Sequence, residues 1–340
     1  MNLLIVDNTN PFIYDSKILE KNPSGASESY LNMLAVELAK KHKVFFIQRH
    51  RKSLELINNI RYLPEDYDIR QLENINNVLL QRNLLSLDSV RKVFPNANIF
   101  CWFHDFFGTK NFQNLDVKNY SSDIQFICLS NWHSKNIKQG FIEKGIKIKN
   151  KLNIIPHFIH SDKTNTFLKN KYNKDKVCFF SSRIKGIQTT YQLFKYLQKD
   201  KPNLKLYVGY HTYDKASFLF NDESVINLGG ISRDEVLYHL STSFCKLAIN
   251  FTYPETFGCI FKEANLVGTP VLTTPLGALP EILSENQIVY PKKYSYDVRG
   301  ETIFVNRFND WYYNNNRPKV YLEERFKKEN VLKLWIKLMK

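Results

Sequence analysis

The stretch Pro254-Glu255-Thr256-Phe257-Gly258-Cys259-Ile260-Phe261-Lys262-Glu263-Ala264-Asn265-Leu266-Val267-Gly268-Thr269 decides the fold. It follows an apolar run, Lys246–Phe251, that reads as a buried strand, and it opens a helix over 258–267. Such a junction sets the amides of Thr256, Phe257 and Gly258 at a helix N-terminus, where they lack intrahelical partners and carry the positive end of the dipole. Oxygen-rich ligands bind there, and Gly258 lets the backbone approach one closely. Glu255 stands in the loop and Glu263 inside the helix. At about 1.5 Å rise per residue, the two carboxylates reach opposite ends of a ligand lying along the helix start. Hydrogen bonds from hydroxyls to charged acceptors contribute about 1.5–3 kcal/mol each, enough to select a polyol. On its own, the segment is read equally well as an acidic residue favouring a helix dipole with an exposed Glu263 beyond it.

Working outward, the same alternation recurs on both sides. Val177–Phe180, Leu204–Val208, Val225–Leu228 and Val271–Thr274 are read as strands, with helices over 187–199 and 232–242 between them. Nearer the start, Leu3–Val6 and Val44–Ile47 are strands around a helix that Ser24 or Ser27 caps, with Tyr30, Met33, Leu34 and Leu38 on one face. Ile99–Phe103, Ile124–Leu129 and Ile154-Ile155 are further strands, and Ser130–Lys144 is a helix. Strands alternating with helices predict parallel α/β sheets. The polar, Asn-rich segment 161–176 is read as a linker between a first domain over 1–160 and a second over 177–315. In 316–340, the stripe Leu322, Phe326, Val331, Leu332, Trp335 and Leu338 predicts an amphipathic helix over 320–339 packing on a domain. Two Rossmann-like domains then face each other across a cleft, with ligands at the carboxyl ends of their strands. The loops after Val6, Phe103, Phe180, Val208 and Phe251 are where chemistry is expected.

Length and composition agree. At 340 residues and 43% hydrophobic, the chain suits two globular domains. No apolar run approaches the roughly 18–20 residues that span a bilayer, and the start lacks the basic flank of a signal peptide. Cys101, Cys128, Cys178, Cys245 and Cys259 stand singly among apolar neighbours, as small buried residues of a reducing compartment do. A cytoplasmic protein is expected. The formal charge of +15 reads first as solvated surface, in short clusters at 40–43, 49–52 and 144–151. Peripheral contact with an acidic membrane face or acceptor is the second reading, and nucleic acid the third. Asp66-Tyr67-Asp68 spells a metal-binding Asp-x-Asp, but its Pro-led polar loop makes it a coincidence. No metal site and no cofactor are expected.

Pro254-Glu255-Thr256-Phe257-Gly258, Glu263-Ala264, Gly268-Thr269-Pro270-Val271 and Gly277-Ala278-Leu279-Pro280-Glu281-Ile282 closely resemble the family 4 retaining glycosyltransferases of the GT-B fold. That family carries two glutamates separated by seven residues, as Glu255 and Glu263 are. It usually has Gly where Thr256 stands. The resemblance covers roughly 177–285 and implies that Glu255 contacts donor-sugar hydroxyls and Glu263 the ribose. In Ser181-Ser182-Arg183-Ile184-Lys185-Gly186, a guanidinium and an ammonium at a strand end are suited to neutralising a leaving diphosphate. The family gives these roles to an Arg and a Lys-Gly several residues later. Here the intervening turn is missing, which favours Arg183 over Lys185. Gly229-Gly230-Ile231-Ser232 resembles the base-contacting loop through Gly230 and Ile231. Pro23-Ser24-Gly25-Ala26-Ser27-Glu28 resembles the glycine-rich loop before the first helix, with Ser24 in place of one glycine. His104, after the strand Ile99–Phe103, matches a family His that contacts the donor sugar, while His133 and His157 read as surface or packing residues.

The expected function is transfer of a hexose from a nucleoside diphosphate sugar to an acceptor hydroxyl on a glycan, lipid or protein, with retention at the anomeric carbon. Glu255, His104, Arg183 and Lys185 form the catalytic set. Ser24, Gly25, Gly230, Ile231, Thr256, Phe257, Gly258 and Glu263 bind the donor. Two other readings stand beside it: a GT-B protein that binds sugar nucleotides or glycans without turnover, and a GT-B enzyme acting on nucleic acid bases.

Overall fold

The structure, a computed structural model, describes residues 1–82, 84–109, 112, 124–146, 152–209, 220–291 and 302–340. The end of the basic cluster 144–151 and the loop after Val208 beyond Gly209 lie outside them. The chain divides into two compact units: Met1–Leu19 with Ala26–His157 and Val331–Lys340, and Glu20–Gly25 with Phe158–Asn330.

The first unit holds strands β1 (Asn2–Asp7), β2 (Lys43–Gln48), β3 (Glu55–Ile57), β4 (Ile60–Leu63), β5 (Asn77–Gln81), β6 (Asn98–Trp102), β7 (Ile124–Cys128) and β8 (Asn153–Ile154). They form one sheet in the order β3-β4-β2-β1-β5-β6-β7-β8. All pairs are parallel except β3–β4, a hairpin turned by Asn58 and Asn59 at φ 49° and 64°. Two residues with positive φ match the twist of the strands they join, and Asn tolerates that region. Leu3, Leu4, Ile5 and Val6 of β1 are all buried, as a parallel strand covered on both faces requires. The helix Ala26–Ala39 buries Tyr30, Leu31, Leu34, Ala35 and Leu38, one face at helical spacing. Ser27 lies inside this helix and accepts from Arg82, so it does not act as its cap. Helix Asn131–Glu143 is capped by Ser130, whose hydroxyl accepts from the His133 amide.

The second unit holds β9 (Asn173–Phe180), β10 (Lys205–Gly209), β11 (Val225–Gly229), β12 (Ser243–Ala248) and β13 (Val271–Thr273), parallel in the order β11-β10-β9-β12-β13. Helices Ile187–Gln198, Arg233–Ser241 and Cys259–Leu266 alternate with them. Its core gathers Val177, Phe179, Leu193, Leu206, Leu247 and Leu272, with Phe304, Phe308 and Trp311 from helix Thr302–Tyr313.

Three expectations change. The segment 161–176 holds helix Thr164–Phe167 and the first residues of β9, so it is structured within the second unit. The last helix is Lys328–Leu338, eight residues shorter at its start than expected. Before it, Glu324–Phe326 is a single 3-10 turn that buries Phe326, whose carbonyl accepts from the Ile159 amide. The strand expected at Lys246–Phe251 is β12 and ends at Ala248. Asn250 stops it: its Oδ1 accepts from the amides of Thr252 and Tyr253, and its Nδ2 donates to the Tyr253 carbonyl. This side chain turns the backbone where a ladder would otherwise continue.

Candidate functional site

In the second unit, β9 and β12 are neighbours at the middle of the sheet, and the loops after them carry the basic and acidic residues. After β9 the chain makes a 3-10 turn, Arg183–Lys185, and passes through Gly186 into helix Ile187–Gln198. Gly186 has φ 90°, and a Cβ there would stand 2.0 Å from the Ile249 carbonyl oxygen. Only glycine fits, because both the backbone conformation and the loop after β12 exclude a side chain. The tight joint aims Lys185 across the two loops. Its Nζ lies 2.9 Å from Glu255 Oε2, and the Glu255 carboxylate is buried. Burial works against the Lys185 charge, but Glu255 outweighs it and the ammonium pKa is raised. Arg183, favoured from the sequence, is exposed, while Lys185 holds the glutamate.

The Glu255 backbone is fixed as firmly. Its carbonyl accepts from the Ala278 amide at 2.8 Å, and it bridges to Gly277. A Cβ on Gly277 would meet the Glu255 carbonyl oxygen at 2.3 Å. The Gly277-Ala278 motif therefore clamps the loop that bears the carboxylate. Gly258, at φ 84°, caps the helix, which starts at Cys259. Thr256 and Phe257 thus precede the helix and are not part of its first turn; Phe257 is buried against Phe326. Glu263, buried in the helix, is held by Arg233, whose Nε donates to its Oε1 at 2.6 Å.

The loops that resemble the base-contacting and glycine-rich segments meet in this unit. A Cβ on Gly230 would stand 3.0 Å from Cγ of Pro23, the residue before Ser24 and Gly25. Ile231 is half-buried beside them in sequence, ahead of the capping box that Ser232 and Glu235 make at helix Arg233–Ser241.

In the first unit, the carboxyl ends of β5 and β6 bring Gln81, Arg82 and His104 together. His104 is buried, its Nε2 3.1 Å from Gln81 Oε1, its ring tilted against Trp102 and stacked on His157. An amide oxygen only accepts, so His104 Nε2 carries the proton. Burial, then His157, Arg82 and His133, holds its pKa well below the usual histidine value. Gln81 Nε2 is buried with no hydrogen-bond partner among the described residues. Arg82, at φ 64°, pairs with the buried Glu28 at 3.2 Å. His133 and His157 are buried packing residues. The Leu129 amide donates to His133 Nδ1, which leaves Nε2 to donate to the Asp105 carbonyl. Asp68 of the Asp-x-Asp sequence caps a 3-10 turn and grips Arg70 with both oxygens at the surface.

Residues 162–328, inside the second unit, match the model of the family described as Glycosyl transferases group 1. These residues are a group 1 glycosyltransferase domain. The whole chain is similar in fold to the Anabaena HepE protein solved in complex with UDP-glucose, at 14% identity and a TM-score of 0.68, covering 100% of this chain and 99% of that one. It is also similar to AviGT4, a glycosyltransferase involved in avilamycin A biosynthesis, at 13% identity and a TM-score of 0.66, covering 99% and 96%. Sucrose-phosphate synthase from Thermosynechococcus elongatus matches at 13% identity and a TM-score of 0.62, covering 99% and 98%. No curated protein sequence matches the chain. At such identities the likeness is one of fold, and that fold is GT-B.

Within the glycosyltransferase domain, Arg233 and Asn250 escape sequence reading, as do Gln81 and Arg82 in the first unit. Asn250 had a local signal, a strand end followed by a polar loop. Arg233 had none, because its partner lies thirty residues on.

Proposed function

We propose that the protein is a retaining hexosyltransferase, moving a hexose from a nucleoside diphosphate sugar to an acceptor hydroxyl on a glycan, lipid or protein. The observation that carries this reading is the Lys185–Glu255 pair at 2.9 Å, at the neighbouring carboxyl ends of β9 and β12. A buried carboxylate fixed by its backbone and by an ammonium is a preorganised acceptor for sugar hydroxyls. The ammonium is at the same time a cation within reach of the diphosphate that leaves.

In this mechanism Glu255 orients the sugar, and Lys185 with Arg183 takes up the negative charge that develops as the glycosidic bond to phosphate breaks. The acceptor hydroxyl attacks from the side the diphosphate leaves, which retains the anomeric configuration. Its proton passes to the departing phosphate oxygen. Glu263 accepts from the ribose hydroxyls, and Ser24, Gly25, Gly230 and Ile231 hold the base and diphosphate. Thr256, Phe257 and Gly258 shape the loop beside the sugar. The low pKa of His104 keeps its imidazole neutral at pH 7, suited to a hydrogen bond with a sugar hydroxyl and not to charge neutralisation. The first domain supplies the acceptor site. No resident metal or cofactor enters these steps, the diphosphate charge falling to the two basic side chains. The protein works in the cytoplasm, with acidic membrane as a peripheral contact for a lipid-linked acceptor.

The test is donor hydrolysis and transfer across UDP-, GDP- and ADP-sugars with wild type and Glu255→Gln. Loss of turnover by about 10²-fold or more with donor binding retained supports the assignment. Unchanged turnover overturns the role of Glu255, and donor binding without turnover by wild type overturns catalysis.

A further inference from the structure

Arg233 is the first residue of helix Arg233–Ser241, and one guanidinium joins two acceptors from separate segments of the second unit. Nε donates to Glu263 Oε1 at 2.6 Å, and Nη2 donates to the carbonyl of His160 at 2.8 Å. The helix that carries it is fixed from its own start. Ser232 and Glu235 close a capping box, and Asp234 pairs with Lys163 at 2.5 Å. A guanidinium is planar and rigid, so fixing one edge on a backbone carbonyl also fixes the direction from which Nε meets Glu263. A carboxylate offers about four lone-pair sites on two oxygens. Arg233 takes one of them on Oε1, and so sets the plane in which the others point.

We propose that Arg233 is the positioning residue that makes the site selective for ribonucleotide over 2′-deoxyribonucleotide donors, by orienting Glu263 toward the ribose hydroxyls. This inference rests on the donor-site reading above. A helix-to-helix tie alone would hold the fold without affecting which sugar the nucleotide carries. An oriented carboxylate discriminates, because removing one hydroxyl leaves a buried charged acceptor short of a donor.

The experiment measures binding of UDP and 2′-deoxy-UDP to the full-length protein by calorimetry, with GDP and ADP and their 2′-deoxy forms as further probes. Thermal unfolding of each variant is recorded alongside. Wild type binds the ribonucleotide about tenfold to a hundredfold tighter, as one hydrogen bond to a charged group implies. In Arg233→Met that ratio falls to within about threefold of unity, through weaker ribonucleotide binding. Arg233→Lys, which keeps the charge but not the fork, gives an intermediate ratio and remains measurable if the Met variant fails to fold. A ratio that neither variant changes, whatever happens to stability, overturns the inference while the donor site stands. Binding of no nucleotide by wild type overturns the donor-site reading, and this inference with it.

Discussion

Trp335 meets Trp102 edge to face, ring centroids 4.8 Å apart and planes at 71°. Both rings are almost fully buried, and Trp102 also touches His104 and His157. Val331 and Trp335 are the buried residues of the last helix, with Met339 buried just beyond it, so this pair is where segment Val331–Lys340 packs into the first unit. Trp335→Ala removes one of the two rings and leaves a cavity beside Trp102. Destabilisation of about 3–5 kcal/mol is expected, read as a lowered denaturant midpoint. A change under about 1 kcal/mol would mean that the helix end adds nothing to the core.

Lys185→Met should be as damaging to turnover as a change at Glu255. It removes the ammonium and leaves the Glu255 carboxylate buried without its cation. A turnover loss of about 10²–10³-fold is expected from the loss of one preorganised charge. Arg183→Met, at an exposed position, should cost less than Lys185→Met. Steady-state rates with the same donor rank the two, and the reverse order would restore the sequence-based preference for Arg183.

Acid should weaken the first unit through its histidines. Burial lowers His133 to about 4 and His157 to about 3, against an ordinary 6.5. Between those values the unfolded chain binds protons that the native one refuses, so stability is present above about pH 6.5 and is lost as pH falls toward 4. His157→Phe, which keeps an aromatic ring against Tyr30 and Trp102, should flatten that decline in urea titrations at stepped pH. An unaltered slope would place the acid sensitivity elsewhere.

Lys246 lies wholly buried on β12 between the rings of Phe179 and Phe261, its Nζ without a hydrogen-bond partner among the described residues. Burial lowers its pKa from 10.5 to about 8. Below pH 8 both states carry the proton and folding bears the cost of burying a charge. From about 8 to 10.5 the native state has shed it while the unfolded state has not, so stability rises with pH. Lys246→Met should therefore stabilise the protein at pH 7 by about 3 kcal/mol and abolish the alkaline rise. Differential scanning at pH 7 and pH 10 measures both effects. A destabilised Met variant would show that the ammonium contributes through the two aromatic faces.

What was legible from residues alone follows from how far apart the deciding partners are. β1, β6, β7 and β9 each contain a continuous apolar run, and their strand character is visible without the rest of the molecule. β3 and β4 have only three and four residues and take their identity from the Asn58-Asn59 turn, so no run announces them. Phe304, Phe308 and Trp311 do repeat at helical spacing, so the helix that carries them is marked locally in the sequence. At the site, the seven residues between Glu255 and Glu263 carry information because that spacing is local. Which base meets each glutamate is not local. Lys185 is brought to Glu255 by the neighbouring of β9 and β12, and Arg233 to Glu263 by helix packing.

Because Glu20–Gly25 and Val331–Lys340 each belong to the unit opposite to their flanking sequence, the chain interleaves the two units and does not complete them in turn. During synthesis the ring of Trp102 is made long before that of Trp335, with all of β9 to β13 between them. Trp102, which packs against His104 and His157, therefore acquires its edge-to-face partner only after the ribosome has produced the whole glycosyltransferase domain. Neither unit can be cut from the chain at one point and remain whole.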